Sequence, residues 1–310
     1  MGGVVEVQFS HHPVLLDEVV SLLEPRGGKV IADGTLGGGG HSEALLEKGA
    51  TVIGIDRDPR AVDFARERLS RFGPRFRAAP GNFAQLEQTL GAQAALPVDG
   101  VLLDLGLSSA QLEDPERGFS FQAEGPLDMR MGGEGPTAAE LIESIDESSL
   151  EELIRGYGEE RFARPIARGL KRSLPRTTLQ AAEEVKRAVP RRAWPKRIHV
   201  ATKTFQALRI AVNRELDALD SILESLPRLL NIRGVAAIIS FHSLEDRKVK
   251  QAFRDLEGRC TCPKGLPVCV CGAQGNFSIV TRKAISAGDA EINKNPRARS
   301  ARLRAVEKIR

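Results

Sequence analysis

Residues 33 to 42 read DGTLGGGGHS. They lie between a short apolar run, Val30, Ile31 and Ala32, and the helix-like stretch that opens at Glu43. The order apolar run, glycine turn, helix start is that of a strand feeding a helix across a ligand loop. The four consecutive glycines, Gly37 to Gly40, let bare main chain approach a ligand, but they do not say which ligand. Further apolar runs at Thr51 to Ile55, Arg75 to Ala79 and Val98 to Leu105 alternate with helical patterns such as Pro59 to Leu69. That spacing predicts a parallel sheet covered by helices.

The pattern then changes. A glycine- and acid-rich loop, residues 116–136, is too long for a neutral connector and is expected to be functional, on the active-site side. From Thr137 to about Leu216 the sequence reads as helices broken at Gly156, Gly158, Pro175, Pro190 and Pro195, and sheet-like runs return at Val235 to Phe241 and at Phe277 to Val280. The expected organisation is therefore an α/β core from residues 1–115 and 217–310, interrupted by an all-helical domain at 137–216.

With 41% hydrophobic and 28% charged residues, the 310-residue chain has ordinary globular composition. No apolar run approaches the roughly 18 residues of a membrane span, and the N-terminal stretch lacks the pattern of an export leader. A cytoplasmic protein is expected. The net charge of +4 is unevenly spread. Residues 134–160 hold nine acidic residues against Arg155 alone, while 161–214 hold fifteen Lys and Arg against Glu183 and Glu184. Residues 294–310 hold seven basic residues against Glu307. Two such stretches point to a polyanion partner, the alternative being solvated helix faces.

The glycine turn departs from the dinucleotide pattern GxGxxG, and it begins with an acid, Asp33. A carboxylate is unfavourable beside a pyrophosphate but favourable beside the cationic amino acid part of S-adenosylmethionine, so a methyl donor is the expected ligand. Asp56 ends the second strand, where an acid accepts ribose hydroxyls in either cofactor class. Phe83 is placed to cover an adenine face or simply to fill core. Asp104 ends an apolar strand, where an unpaired buried acid is costly, and so is expected at the sheet's carboxyl edge beside the ligand.

The motifs HHPVLLDEV, DGTLGGGGHS, IDRDP, LLDLGLSSAQL, RGFSF, GPLDMRM, YGEERFARPIAR, TFQALRIAVNREL, ISFHSLEDRKVK and NPRARS together resemble the ribosomal RNA small subunit methyltransferase H family. The resemblance runs from residue 11 to about residue 300. It implies an S-adenosylmethionine-dependent enzyme methylating N4 of a cytidine in the decoding centre of 16S ribosomal RNA, met in a small subunit or a late assembly intermediate. It also implies a Rossmann-like methyltransferase core with an inserted helical domain that recognises RNA. Donor contacts carried over by motif fall on Gly39, Gly40, His41, Asp56, Phe83, Asp104 and Gln111. Asp33 is not among them, which leaves it to orient the glycine turn.

The cytosine amino nitrogen shares its lone pair with the ring and needs acceptors that hold its N–H groups. Asp104 is the candidate catalytic residue for this, with the carbonyls of Leu105 and Gly106. Methylation at a ring carbon would require a cysteine thiolate, and all four cysteines, Cys260, Cys262, Cys269 and Cys271, lie far from the early sheet motifs. They form two CxC pairs whose alternatives are a structural zinc knuckle and an inert loop. No metal is expected for the reaction. His242 and Glu245 follow the late strand and either shape the RNA pocket or hold that turn. The rival readings are a non-catalytic assembly factor that binds ribosomal RNA and, less well supported, an NAD-dependent enzyme.

Overall fold

The computed structural model describes residues 13–258, 262 and 275–310, so the cysteine knuckle, apart from Cys262, lies outside the described residues. Among the described residues, Leu107–Leu216 forms one compact unit, and residues 13–106 together with Asp217–Arg310 form the other.

The second of these is built on a sheet. Its first half runs α1 (Leu16–Leu23), β1 (Val30–Asp33), α2 (Gly40–Glu47), β2 (Thr51–Asp56), α3 (Pro59–Arg68), β3 (Phe76–Pro80), α4 (Leu86–Ala92) and β4 (Val98–Asp104). The apolar runs become strands because a parallel sheet buries both faces. Along β4, Val101 and Leu103 join one core cluster while Leu102 joins the other. The start of α3 is fixed by Asp58, whose side chain accepts from the Arg60 amide, with Pro59 at the first helical position.

The helical unit contains α5 (Ser109–Glu113), α6 (Ala138–Ser144), α7 (Glu147–Gly158), α8 (Ala163–Ser173), α9 (Thr178–Ala188) and α10 (Thr202–Asn213). Each of α5, α6 and α9 opens with a reciprocal capping box, from Ser108 and Gln111, Thr137 and Glu140, and Thr177 and Gln180. The glycine-rich loop is stitched into this unit. Phe119, Leu127, Met129 and Met131 are buried in its core. The Asn213 side chain donates to the Met129 carbonyl at 2.7 Å and accepts from the Met131 amide at 2.8 Å. Arg130 makes a bidentate pair with Asp128 that holds the Asp128 carboxyl below the usual carboxylate range.

The rest of the sheet unit follows: α11 (Glu215–Leu229), β5 (Leu230–Ser240), α12 (Ser243–Glu257), β6 (Phe277–Ile279), α13 (Asp289–Lys294) and β7 (Arg302–Lys308). Strand order is β3-β2-β1-β4-β5-β7-β6. β3, β2, β1, β4 and β5 pair in parallel, while β7 is antiparallel to both β5 and β6. A dinucleotide fold with order 3-2-1-4-5-6 has no such antiparallel insert. The architecture is a Rossmann-like α/β core with additional helical elements. No helix among the described residues is long and apolar enough to cross a membrane.

The basic C-terminal stretch is not a free tail. Leu303, Ala305 and Val306 are buried in the sheet. Arg304, 9% exposed, forks onto Asp246 at 2.7 and 3.0 Å, and Lys308 donates to the Pro227 and Leu230 carbonyls. Arg304 and Lys308 hold a strand in place, so these two of the seven basic residues are structural.

Candidate active site

Because β1 leads to β2 and β3 on one side while β4 leads to β5 on the other, the order reverses between β1 and β4. Ligands of open α/β sheets bind outside the carboxyl ends of the strands at such a point. Three of the strands that flank this crevice end in an aspartate.

Asp33, at the end of β1, is almost completely buried. One carboxylate oxygen accepts from the Thr35 amide at 3.1 Å and the other from the Ser42 hydroxyl at 2.7 Å. Burial outweighs these bonds and pushes its carboxyl up to about 6. Both bonds shape the turn, and each oxygen keeps a second lone pair.

The turn itself is pinned at several points. Asp56, at the end of β2, accepts from the Gly37 amide at 2.8 Å through one oxygen and from the Asp58 amide at 2.9 Å through the other. Each oxygen keeps a second lone pair for a further donor. Burial again raises the carboxyl to about 6, with the Asp58 and Asp33 charges adding to it. Arg68 donates to the Gly38 carbonyl at 2.9 Å and pairs with Glu43 on α2. Gly39 sits at φ +77° as the residue capping α2, and a Cβ there would lie 2.9 Å from a Leu69 methyl. Gly34 has no room either, since a Cβ would approach Leu103 to 2.5 Å and Phe83 to 3.0 Å. That proximity places Phe83, on the turn after β3, beside the exits of β1 and β4.

Asp104 ends β4, with its amide donating to the Thr35 hydroxyl at 2.6 Å. Its side chain is a quarter exposed, yet Oδ1 is shut off from solvent and has no hydrogen-bond partner. Oδ2 faces Nδ1 of His41 at 3.8 Å. Nε2 of His41 lies 2.9 Å from the Val14 carbonyl and must carry the proton it donates there. Desolvation raises Asp104 to about 6. His41 opposes this, and the charges of Asp33 and Glu245 add to it. An orphaned carboxylate oxygen at the switch point suits a cationic or N–H-bearing ligand.

After β5, His242 and Glu245 form the capping box of α12, with a Glu245 oxygen accepting from the Phe241 amide at 2.9 Å. Both side chains hold that turn. The structure therefore gathers Gly39, Gly40, His41, Asp56, Phe83 and Asp104 in one unit at one sheet edge. Gln111 belongs to the helical unit, where it is buried and its side chain accepts from the Ser108 amide at 3.1 Å. Thr35, Ser42 and Arg68 are structural partners that sequence reading did not single out. Thr35 and Ser42 lie inside the decisive motif, whereas nothing in the spacing ties Arg68 to Gly38.

Comparison with known proteins settles the family. The model of the MraW methylase family matches residues 8–309. The chain belongs to the MraW methylase family. Relatives in it include proteins named ribosomal RNA small subunit methyltransferase H. The one from Myxococcus xanthus is 64% identical over 302 residues, covering 97% of this chain and 98% of that protein. Those from Anaeromyxobacter sp. (strain Fw109-5) and Geobacter sulfurreducens are 57% and 52% identical, covering 98% and 97% of this chain and 99% of each relative. A MraW methylase matched over nearly its whole length retains both the sheet with its aspartate-tipped crevice and the helical unit.

Proposed function

We propose that this MraW methylase transfers a methyl group from S-adenosylmethionine to the N4 amino group of a cytidine in the decoding centre of 16S ribosomal RNA, in the cytoplasm and within a small subunit or late assembly intermediate. The observation that carries the reading is the unpartnered Oδ1 of Asp104 at the switch point. Bound there, the donor supplies an electrophilic methyl on a sulfonium.

The chain's own residues have separable tasks. The amides of Gly40 and His41, at the start of α2, are among the first-turn donors that a helix leaves without internal partners, and they suit the donor's carboxylate. Asp56 offers its remaining lone pairs to ribose hydroxyls, and Phe83 an apolar face to the adenine. Gly39 gives the turn its left-handed conformation. His41, its tautomer fixed by Val14, turns Nδ1 toward the space shared with Asp104. For Gln111 the support is the sequence resemblance alone.

Asp104 serves as catalytic residue by accepting an N–H of the cytosine amino group, which frees the nitrogen lone pair from the ring for attack. Its raised pKa makes it a better proton acceptor than an exposed aspartate once the methylated nitrogen must shed a proton. The helical unit, through the basic stretch at 161–214, recognises RNA. The test is calorimetry with S-adenosylmethionine and with NAD: micromolar-range binding of the former alone is expected, and binding of NAD alone overturns the reading.

A further inference from the structure

The fifteen basic residues of 161–214 are not equivalent in the folded protein. Many are paired with nearby carboxylates or hydrogen-bonded to main chain. Arg168 pairs with Glu147, Arg176 with Glu143, Arg187 with Glu184 and Arg209 with Glu215. Lys171 caps the end of α6 through the Ile142, Glu143 and Ile145 carbonyls, and Lys203 donates to the Glu159 carbonyl. The segment between α9 and α10 is different. From Val185 to Arg214 the sequence contains no acid at all. Arg192, Lys196 and Arg197 are exposed and meet no carboxylate among the described residues.

The same segment is rigidly mounted. Pro190 and Pro195 bracket a single 3-10 turn, Arg191–Ala193. The Trp194 indole donates to the Val189 carbonyl at 3.0 Å and packs on the helical core. Arg191 lies over its ring at 5.9 Å. Trp194 is therefore an anchor, and Arg191 is partly engaged with it. Beyond the segment, His199 stacks on Phe121 with ring centroids 4.6 Å apart. Its pKa is lowered by burial and by the Lys186 charge, so it adds no positive charge at neutral pH.

We propose that Arg192, Lys196 and Arg197 are the helical unit's phosphate grip: a preorganised cationic knob that engages the sugar–phosphate backbone of single-stranded or loop RNA, leaving base choice to the catalytic crevice. The proposal rests on the RNA methyltransferase reading above. Uncompensated cations neutralise phosphates and release the counterions condensed on RNA, whereas arginines already paired with carboxylates neutralise fewer phosphates. A mount held by two prolines and a half-buried, hydrogen-bonded indole loses little entropy on binding.

The test compares two triple variants with the same charge change. One is Arg192→Gln, Lys196→Gln and Arg197→Gln; the other is Arg168→Gln, Arg176→Gln and Arg187→Gln. Binding to a 16S ribosomal RNA transcript is titrated between about 50 and 200 mM salt, with thermal unfolding, S-adenosylmethionine affinity and methyl transfer followed in parallel. The first variant should lose about two units of the log–log salt slope, given roughly 0.7 per single-strand phosphate contact. Its KM for RNA should rise while kcat at saturating RNA and donor affinity stay at wild-type values. The second should change the slope by less than about one. Equal losses in both variants, or an unchanged slope in a folded first variant, overturn the proposal. A single Arg192→Glu variant provides the reading if the triple unfolds, and it too must weaken RNA binding. Wild-type protein with no salt-dependent RNA binding would overturn the methyltransferase reading as well, whereas normal methyl transfer with an unchanged slope in the first variant overturns the grip alone.

Discussion

Asp104→Asn should separate stability from function in opposite directions. In the folded protein the Asp104 carboxyl is raised from an ordinary 3.8 to about 6, chiefly by desolvation. Each pKa unit corresponds to about 1.4 kcal/mol, so keeping this group ionised at pH 7.5 costs the ligand-free protein on the order of 3 kcal/mol. The sign follows from proton binding. Between about pH 4 and pH 6 the folded state holds a proton that the unfolded state has released, so stability falls as pH rises through this window. An amide of the same shape carries no charge to desolvate, and its NH2 can face Nδ1 of His41, now 3.8 Å from Oδ2. Its own carbonyl oxygen still lacks a partner, which trims the gain. Asp104→Asn is thus expected to be about 1–2 kcal/mol more stable than wild type at pH 7.5 and equal to it near pH 4. Turnover should nevertheless drop at saturating donor and RNA, because the acceptor for the amino group has lost its charge. Urea unfolding of ligand-free protein at both pH values, with single-turnover methyl transfer, reads both effects. A variant less stable than wild type at pH 7.5, or one with wild-type turnover, would refute the reasoning.

Other expectations follow from the same crevice and its supports. Asp56→Ala should weaken S-adenosylmethionine binding by at least about 1.5 kcal/mol, since it removes charge-assisted acceptors and frees the Gly37 amide; unchanged affinity in calorimetry removes Asp56 from the donor site. Gly39→Ala forces a side chain into φ +77° against Leu69 and should cost roughly 1–2 kcal/mol of stability together with donor affinity, so a neutral result in thermal unfolding would contradict the turn's assigned geometry. Arg304→Gln leaves Asp246 without its fork and should destabilise the protein by about 3 kcal/mol or more without altering the salt slope of RNA binding; a stable variant with a reduced slope would make Arg304 an RNA contact.

The parts of the fold that read clearly from sequence are those in which burial is symmetrical. β1, β2 and β4 are buried on both faces, so Val30 to Ala32, Thr51 to Ile55 and Val98 to Leu105 stand out as apolar runs, each ending within a residue of the observed strand. β7 did not stand out because its sequence, RLRAVEK, alternates charge with apolar residues. Arg304 sits at 9% exposure only because Asp246, 58 residues earlier, neutralises it. In the same way the acids of 134–160 and the bases of 161–214 read as separate blocks in one dimension, whereas folding pairs Glu143 with Arg176 and Glu147 with Arg168. At the crevice the strand-terminal aspartates were legible, since an acid ending an apolar run needs a reason. Their division of labour was not. Whether an oxygen is satisfied depends on partners brought in by folding, such as Ser42 for Asp33, and on their lack at Asp104 Oδ1.

The most direct test of the account is the chemical identity of the product. Small ribosomal subunits from cells lacking the enzyme are incubated with the purified protein and isotope-labelled S-adenosylmethionine, and the 16S ribosomal RNA is digested and its nucleosides separated by mass spectrometry. The account predicts label in N4-methylcytidine at a single decoding-centre position, absent with Asp104→Asn. Label in 5-methylcytidine, in ribose-methylated cytidine or in no nucleoside at all would contradict it.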